Sequence, residues 1–404
     1  MITGAGRLPR RSISDMNVAV ALESQTAAAA SRPRKRFERV AITCVFGDPR
    51  DKRSWSGAPA NLAAAMERLG VTVEAIHPHL GQAGKLAIAG WELMAGHGRP
   101  SSGEQILRSA PARRWHARQV SAEAARLGVH EILHTGSFDL PAVDLVRGVR
   151  HYLYCDHTWE LSRRHHPLAA GYSASALAAY ERSERQAFAS LTHIFTFGAY
   201  VRDNLIGHYG IDPARVTAVG SGMGAIEPFD GPKDFSRPHL LFVAKHLFEA
   251  KGGPLLLQAF GRALERRADL RLTIVGDERS RRFVPQHPAI EFRAHLPWAE
   301  LQELFRQSTL LVQPMLNDPW GQVYLEALVS RTPVLGLRRH GLPEIAGEGR
   351  FGFLVDEAEP GALATAIVEA LSDPARLEAM ATAGQRHVLA TYSWDRTAER
   401  IVFA

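Results

Sequence analysis

Cysteine is scarce in this sequence and long apolar runs are missing. Cys44 and Cys155 are the only two cysteines, each inside an apolar stretch. Neither has the spacing of a disulfide framework, a CxxC pair or a zinc site, so a reducing compartment and a cytoplasmic location are expected. No stretch approaches the roughly 18 uninterrupted apolar residues of a membrane-spanning helix. The run Asn17–Leu22 stops at Glu23, too short for the apolar region of a secretory signal. A broad basic surface is missing as well. The net charge is +6, but residues 1–39 hold eight Arg or Lys against Asp15, Glu23 and Glu38, which leaves the rest nearly neutral. A chain that binds nucleic acid by neutralising phosphates would carry its excess on the folded body too, so no nucleic-acid partner is expected. Residues 1–38 read as a disordered basic leader rich in Ala, Ser and Arg. It is either an inert tail or a means of peripheral contact with an anionic membrane. GxSxG, HExxH and P-loop motifs are absent, and His77/His79 and His165/His166 lack partners at metal spacing.

What is present is apolar material in periodic order. With 404 residues, 46% of them hydrophobic, the chain can build two or three domains. From Val40 onward short β-branched runs alternate with helical stretches, which indicates an α/β fold with parallel sheets. Val40–Phe46, Val71–Ile76, Glu131–His134, Tyr152–Cys155, His193–Thr196 and Val216–Val219 read as strands of a first domain. Helices are expected near Ala58–Leu69, Ser173–Ser190 and Ala199–His208. A second set, Leu240–Ala244, Leu270–Val275, Ile290–Ala294, Leu310–Gln313, Val334–Gly336 and Gly352–Val355, follows the Gly- and Pro-rich segment 221–238. The expected organisation is a domain at 39–220, a linker at 221–238, a second domain at 239–392 and a terminal helix at 393–404. Trp394, Ala398, Ile401 and Val402 give that helix an apolar stripe, expected to pack back on the first domain. Two doubly wound lobes facing across a cleft bind ligands at the carboxyl ends of their strands.

One glycine motif misleads. Gly220-Ser-Gly222-Met-Gly224-Ala225 fits the dinucleotide fingerprint after a strand, but the following Ile226-Glu-Pro228-Phe-Asp-Gly231-Pro232 cannot open the helix that would hold a pyrophosphate. The informative stretch is Asp318-Pro-Trp320-Gly321-Gln-Val-Tyr-Leu-Glu326. Asp318 stands at the carboxyl end of a strand and Glu326 inside the next helix, with free amides expected near Gly321 and Gln322. Carboxylates accept paired hydrogen bonds from vicinal hydroxyls and a helix N-terminus attracts anions, so a polyol beside a phosphate suits this pattern. A helix-start acid followed by a solvated glutamate suits it too. Lys245 and Lys251-Gly252-Gly253 flank another post-strand loop and could meet a diphosphate, although either lysine could equally be a solvated surface charge.

Taken in order, these motifs resemble the retaining GT-B fold glycosyltransferases of glycosyltransferase family 4, over roughly Val40 to the C-terminus. The resemblance rests on Ser54-Trp55-Ser56-Gly57-Ala58, on Leu241-Phe-Val-Ala244-Lys245 with Lys251-Gly252-Gly253, and on Ile274-Val-Gly276-Asp277. It continues through Asp318 and Glu326 as an E-x7-E motif, Thr332-Pro333-Val334 and Gly341-Leu-Pro343-Glu344-Ile345. The resemblance implies a GT-B fold and transfer of a sugar from a nucleotide diphosphate sugar, UDP- or GDP-linked, to a hydroxyl acceptor with retention of anomeric configuration. Glycan, polysaccharide or glycolipid synthesis is the implied setting. No metal and no resident cofactor are implied. Carried over by position, Glu326 would bind ribose, Asp318 the donor sugar, and Lys245 and Lys251 the diphosphate. Gly57, Trp320, Gly321 and Gln322 would line the donor site. Asp156 and His157, in Tyr154-Cys155-Asp156-His157, would serve the acceptor side or else make structural hydrogen bonds.

The pattern departs from the family in having Asp at position 318, Lys at 245 in place of Arg, and the acid before the histidine at 156–157. A sugar-nucleotide epimerase of the same fold and a catalytically inactive nucleotide-sugar-binding protein remain alternatives. Product analysis separates the first, and donor hydrolysis the second.

Overall fold

The computed structural model describes residues 35–97, 103–138, 148–165, 172–245, 247–294 and 296–403. The first domain holds β1 (Arg39–Thr43), β2 (Thr72–Ile76), β3 (Glu131–Thr135), β4 (Arg150–Cys155), β5 (His193–Thr196) and β6 (Val216–Ala218). They form one parallel sheet in the order β2-β1-β3-β4-β5-β6. The second domain holds β7 (His239–Ala244), β8 (Arg271–Gly276), β9 (Ile290–Ala294), β10 (Leu310–Val312), β11 (Val334–Leu337) and β12 (Gly352–Val355). Its parallel sheet runs β12-β11-β10-β7-β8-β9. The central strands are buried along almost their whole length, as β-branched and apolar runs covered by helices on both faces must be.

Strand order sets where ligands can sit. In the first sheet the direction of winding reverses between β1 and β3, and in the second between β7 and β10. Loops leaving such neighbouring strands diverge and open a crevice at their carboxyl ends. The loop after β1 carries Gly57, and the loops after β7 and β10 carry Lys251 and Asp318.

The segment between β2 and β3 differs from expectation. Helices span Gln82–Met94, Gly103–Arg108 and Ala110–Leu127 there. Ser109 caps the last of these, its hydroxyl accepting from the Ala112 amide at 3.3 Å. The leader boundary at 38 also falls too late. Phe37 is fully buried against Tyr152, and the Arg36 amide donates to the Val402 carbonyl at 2.7 Å, so residues 35–38 belong to the fold.

The terminal helix Trp394–Val402 lies on the first-domain helix Ala58–Arg68. Ala398, Ile401 and Val402 are fully buried, and Arg68 pairs with Asp395 at 2.5 Å. Residues 221–238 carry neither helix nor strand. Their glycines serve close approach: a Cβ at Gly222 would fall 2.3 Å from the Trp394 ring, and one at Gly224 would fall 2.2 Å from Glu326 Oε1. That is the structural meaning of the misleading fingerprint.

Candidate active site

The loop Lys245–Gly252 after β7 and the loop Gln313–Gly321 after β10 touch along their backbones, the amides of Leu316 and Asn317 both donating to the Ala250 carbonyl at 2.9 Å. The turn into the helix Gly253–Arg266 needs Gly252. Its φ is +86° and a Cβ would sit 2.0 Å from the Pro314 carbonyl oxygen. This close approach brings Lys251 Nζ to 2.6 Å from Asp318 Oδ2. Asp318 Oδ1 accepts from the Gly321 amide at 3.2 Å. The expectation of a free amide at Gly321 is therefore corrected, because Asp318 caps the turn that starts the helix Gln322–Val329. Burial acts to raise the Asp318 pKa, but the charge and hydrogen bond of Lys251, the Gly321 amide and the charge of His340 outweigh it and hold the carboxyl below its usual range.

Glu326 lies on the helix Gln322–Val329 and is only 7% exposed. It is not the solvated glutamate that spacing alone allowed. Burial pushes its pKa up to about 7, with the charge of Lys251 opposing. Gln322, one turn earlier, turns its side-chain amide to the Gly222 carbonyl at 3.3 Å.

Asp156, at the end of β4, faces the same cleft from the first domain. Burial, then the nearby charge of Asp318, raises its pKa to about 7. Tyr200 Oη lies 2.6 Å from the Asp156 carbonyl and 2.7 Å from that of Pro319, tying the two domains together beside the acids. The His157 ring stands edge-on to that of His340 with centroids 5.6 Å apart. The structure therefore brings Lys251, Asp318, Asp156 and His157 to one interdomain crevice, with Glu326 at its linker side. Lys245 is exposed, and no hydrogen bond joins it to the Lys251–Asp318 pair. Gly57 is buried at the start of the helix Ala58–Arg68 with φ +79°, after Trp55 and Ser56, also left-handed.

Trp320 requires a correction. It is 3% exposed, with its ring against Phe197 and Tyr392 at centroid distances of 5.9 and 5.7 Å. A Cβ at Gly198 would fall 2.8 Å from it. Trp320 thus fills the seam between the domains and is not open to a ligand. Sequence reasoning missed Tyr200, His340 and the interdomain role of Glu344, whose Oε2 accepts from the Ala199 amide at 2.7 Å. His340, with φ +57°, was marked only by a bulky residue before Gly341. Among the described residues no group of three or more His, Cys, Asp or Glu could hold a metal ion.

Residues 237–373 match the family model described as glycosyl transferases group 1, the segment that carries Lys251, Asp318 and Glu326. The second domain is a group 1 glycosyltransferase domain. A D-inositol 3-phosphate glycosyltransferase of Rhodococcus opacus is 28% identical over 248 residues, covering 56% of this chain and 55% of that protein. The chain spans about half the length of the curated relatives it matches. Among solved structures, sucrose-phosphate synthase from Thermosynechococcus elongatus superposes with TM-score 0.69 at 15% identity, over 90% of this chain and 97% of that one. HepE of Anabaena, solved with UDP and glucose, superposes with TM-score 0.63 at 14% identity, over 90% and 98%. These matches span both domains, and the whole chain has the GT-B fold.

Proposed function

We propose that the protein transfers a sugar from a nucleotide diphosphate sugar to a hydroxyl acceptor, with retention of anomeric configuration. The observation that carries this reading is the convergence of Lys251, Asp318 and Glu326 at the β7/β10 crevice of a group 1 domain. The solved relative that holds UDP and glucose supports a UDP-linked donor, with a GDP-linked donor the other candidate. Ionised Glu326 accepts two hydrogen bonds from the ribose diol. Lys251 divides its charge between Asp318 and the diphosphate, Lys245 adds a second cation, and Asp318 receives the hydroxyls of the donor sugar. Gly57, Gln322 and the loop at Gly321 line the approach.

In the reaction the bond from the anomeric carbon to the diphosphate oxygen breaks, and the acceptor oxygen bonds the same carbon on the same face. The acceptor proton passes to the departing phosphate oxygen. Positive charge already fixed at Lys251 stabilises the negative charge that grows there, which in water would require solvent to reorganise. Asp156 and His157 present the acceptor from the opposite wall, the protonated form of Asp156 avoiding repulsion with Asp318.

The test is a thermal-shift screen of nucleotide sugars, followed by proton NMR of the product formed from the stabilising donor. A product with the donor's anomeric configuration is expected. An inverted product would overturn retention, and no stabilisation by any nucleotide sugar would overturn the donor assignment.

A further inference from the structure

The hydroxyl of Tyr200 has one proton and two acceptors. Tyr200 is the second residue of the helix Ala199–Gly207, which starts just past the carboxyl end of β5. Its Oη lies 2.6 Å from the carbonyl oxygen of Asp156, in the first domain, and 2.7 Å from that of Pro319, beside Asp318 in the second. A tyrosine hydroxyl carries a single O–H donor. The proton is therefore shared in a three-centre bond, and the oxygen that holds it sets how far apart the two loops stand. Those loops are the ones that present Asp156 and Asp318. The Pro319 carbonyl is itself fixed, because it also accepts from the Gly341 amide at 3.0 Å. The residues before Tyr200 make the same crossing. The Ala199 amide donates to Glu344 Oε2 at 2.7 Å, and a Cβ at Gly198 would fall 2.8 Å from the Trp320 ring.

This bridge joins two loops whose acids repel. The pKa of Asp156 is raised to about 7, first by burial and then by the charge of Asp318 across the crevice. The other titratable groups against Asp156 are Tyr154, Cys155 and Tyr200, and burial followed by the Asp156 charge keeps all three protonated. Lys251 and His340 set their charge against Asp318. Ionisation of Asp156 therefore drives the two loops apart, and a hydroxyl bound to a carbonyl on each side opposes that separation.

We propose that Tyr200 is a positioning residue for sugar transfer, its hydroxyl fixing the acceptor wall at Asp156 against the donor loop at Asp318 without touching the donor. The inference rests on the reaction proposed above. It assigns to Tyr200 a part in turnover and none in donor affinity. A misplacement of about 1 Å between reacting groups can slow a reaction about 100-fold, so a single bond that sets this spacing matters to the rate.

Tyr200→Phe keeps the ring and removes only the hydroxyl, so its melting temperature should fall by a few degrees at most. Release of UDP from UDP-glucose, or of GDP from GDP-mannose, with water as the acceptor should slow by about tenfold or more, while calorimetric affinity for the same donor stays unchanged. Amide hydrogen exchange on peptides spanning 197–204 and 316–324 reads the bridge apart from activity. Exchange there should be faster in Tyr200→Phe than in the wild type. After correction for intrinsic rates, the difference should be larger at about pH 8 than at about pH 6, because Asp156 ionises between them. In Tyr200→Phe/Asp156→Asn, where nothing at position 156 ionises, that pH-dependent part should vanish. Unchanged donor turnover in Tyr200→Phe would overturn the proposal, as would wild-type exchange in both segments. Donor affinity lost in step with turnover would overturn it too, by placing the hydroxyl in the donor site. A wild type that binds neither nucleotide sugar would refute the proposed donor instead, and the exchange rates would then decide the bridge alone.

Discussion

Burial sets the protonation of Glu326 and, under the proposed function, the pH dependence of donor binding. In the free protein its pKa stands near 7, yet accepting two hydrogen bonds from a diol requires the carboxylate. Binding then releases a proton, so donor affinity should rise from about pH 6 to about pH 8. Calorimetry across that range should show the slope in the wild type and lose it in Glu326→Gln, where nothing titrates at that position. For folding the sign is opposite. A carboxyl whose pKa is raised in the folded state stabilises the fold below its ordinary range, and that stability drains away as pH rises toward 7. The places of Lys251, Asp318 and Glu326 after β7 and β10 were legible in the sequence because residue types and strand ends were both visible there. Trp320 was misread, since its neighbours Phe197 and Tyr392 come from other parts of the chain. Tyr200 and His340 were not legible at all, because their roles exist only where two loops from different domains meet.

Elements place these residues through close backbone contact, and glycine substitution reads that contact directly. Gly224→Ala adds a methyl where Glu326 Oε1 now lies, 2.2 Å away. The carboxylate is the free end of a flexible chain and can swing aside, so the fold should hold to within about 1 kcal/mol while donor affinity falls. Gly261→Ala is the control. Nothing lies within 4 Å of its Cβ position in the helix Gly253–Arg266, and it should stabilise by about 0.5–1 kcal/mol with donor affinity unchanged. Chemical denaturation and calorimetry on both variants check the contrast. The twelve strands of the described residues could all be anticipated, because parallel strands covered on both faces are continuous apolar runs. The helices of 82–127 could not. Gln82–Met94 has glycines at 84 and 90 and no capping side chain, and its apolar residues other than Ile88 are largely exposed, which blurs the period a core-facing helix would show.

The whole molecule is held together at two seams, Trp320 between the domains and the terminal helix across the first. Truncation after Tyr392 removes Ala398, Ile401 and Val402, all fully buried, together with the Arg68–Asp395 pair. Turnover should fall by more than donor affinity does, since the second domain keeps its site while the first loses its support. Steady-state kinetics beside donor titration separate the two effects. Phe37→Ala, at the buried start of the first domain, should cost about 3–5 kcal/mol in urea unfolding. That residue belongs to the core despite adjoining a basic stretch, and composition alone hid it. The central claim is that the second domain grips a nucleotide diphosphate sugar between Lys251 and Glu326. Calorimetric titration of the full chain with UDP-glucose and GDP-mannose, wild type beside Lys251→Ala and Glu326→Ala, tests it most directly. Charge-assisted hydrogen bonds contribute about 1.5–3 kcal/mol each, so each substitution should weaken the donor that binds by about tenfold or more. A donor that binds the wild type and both variants with equal affinity would contradict the account.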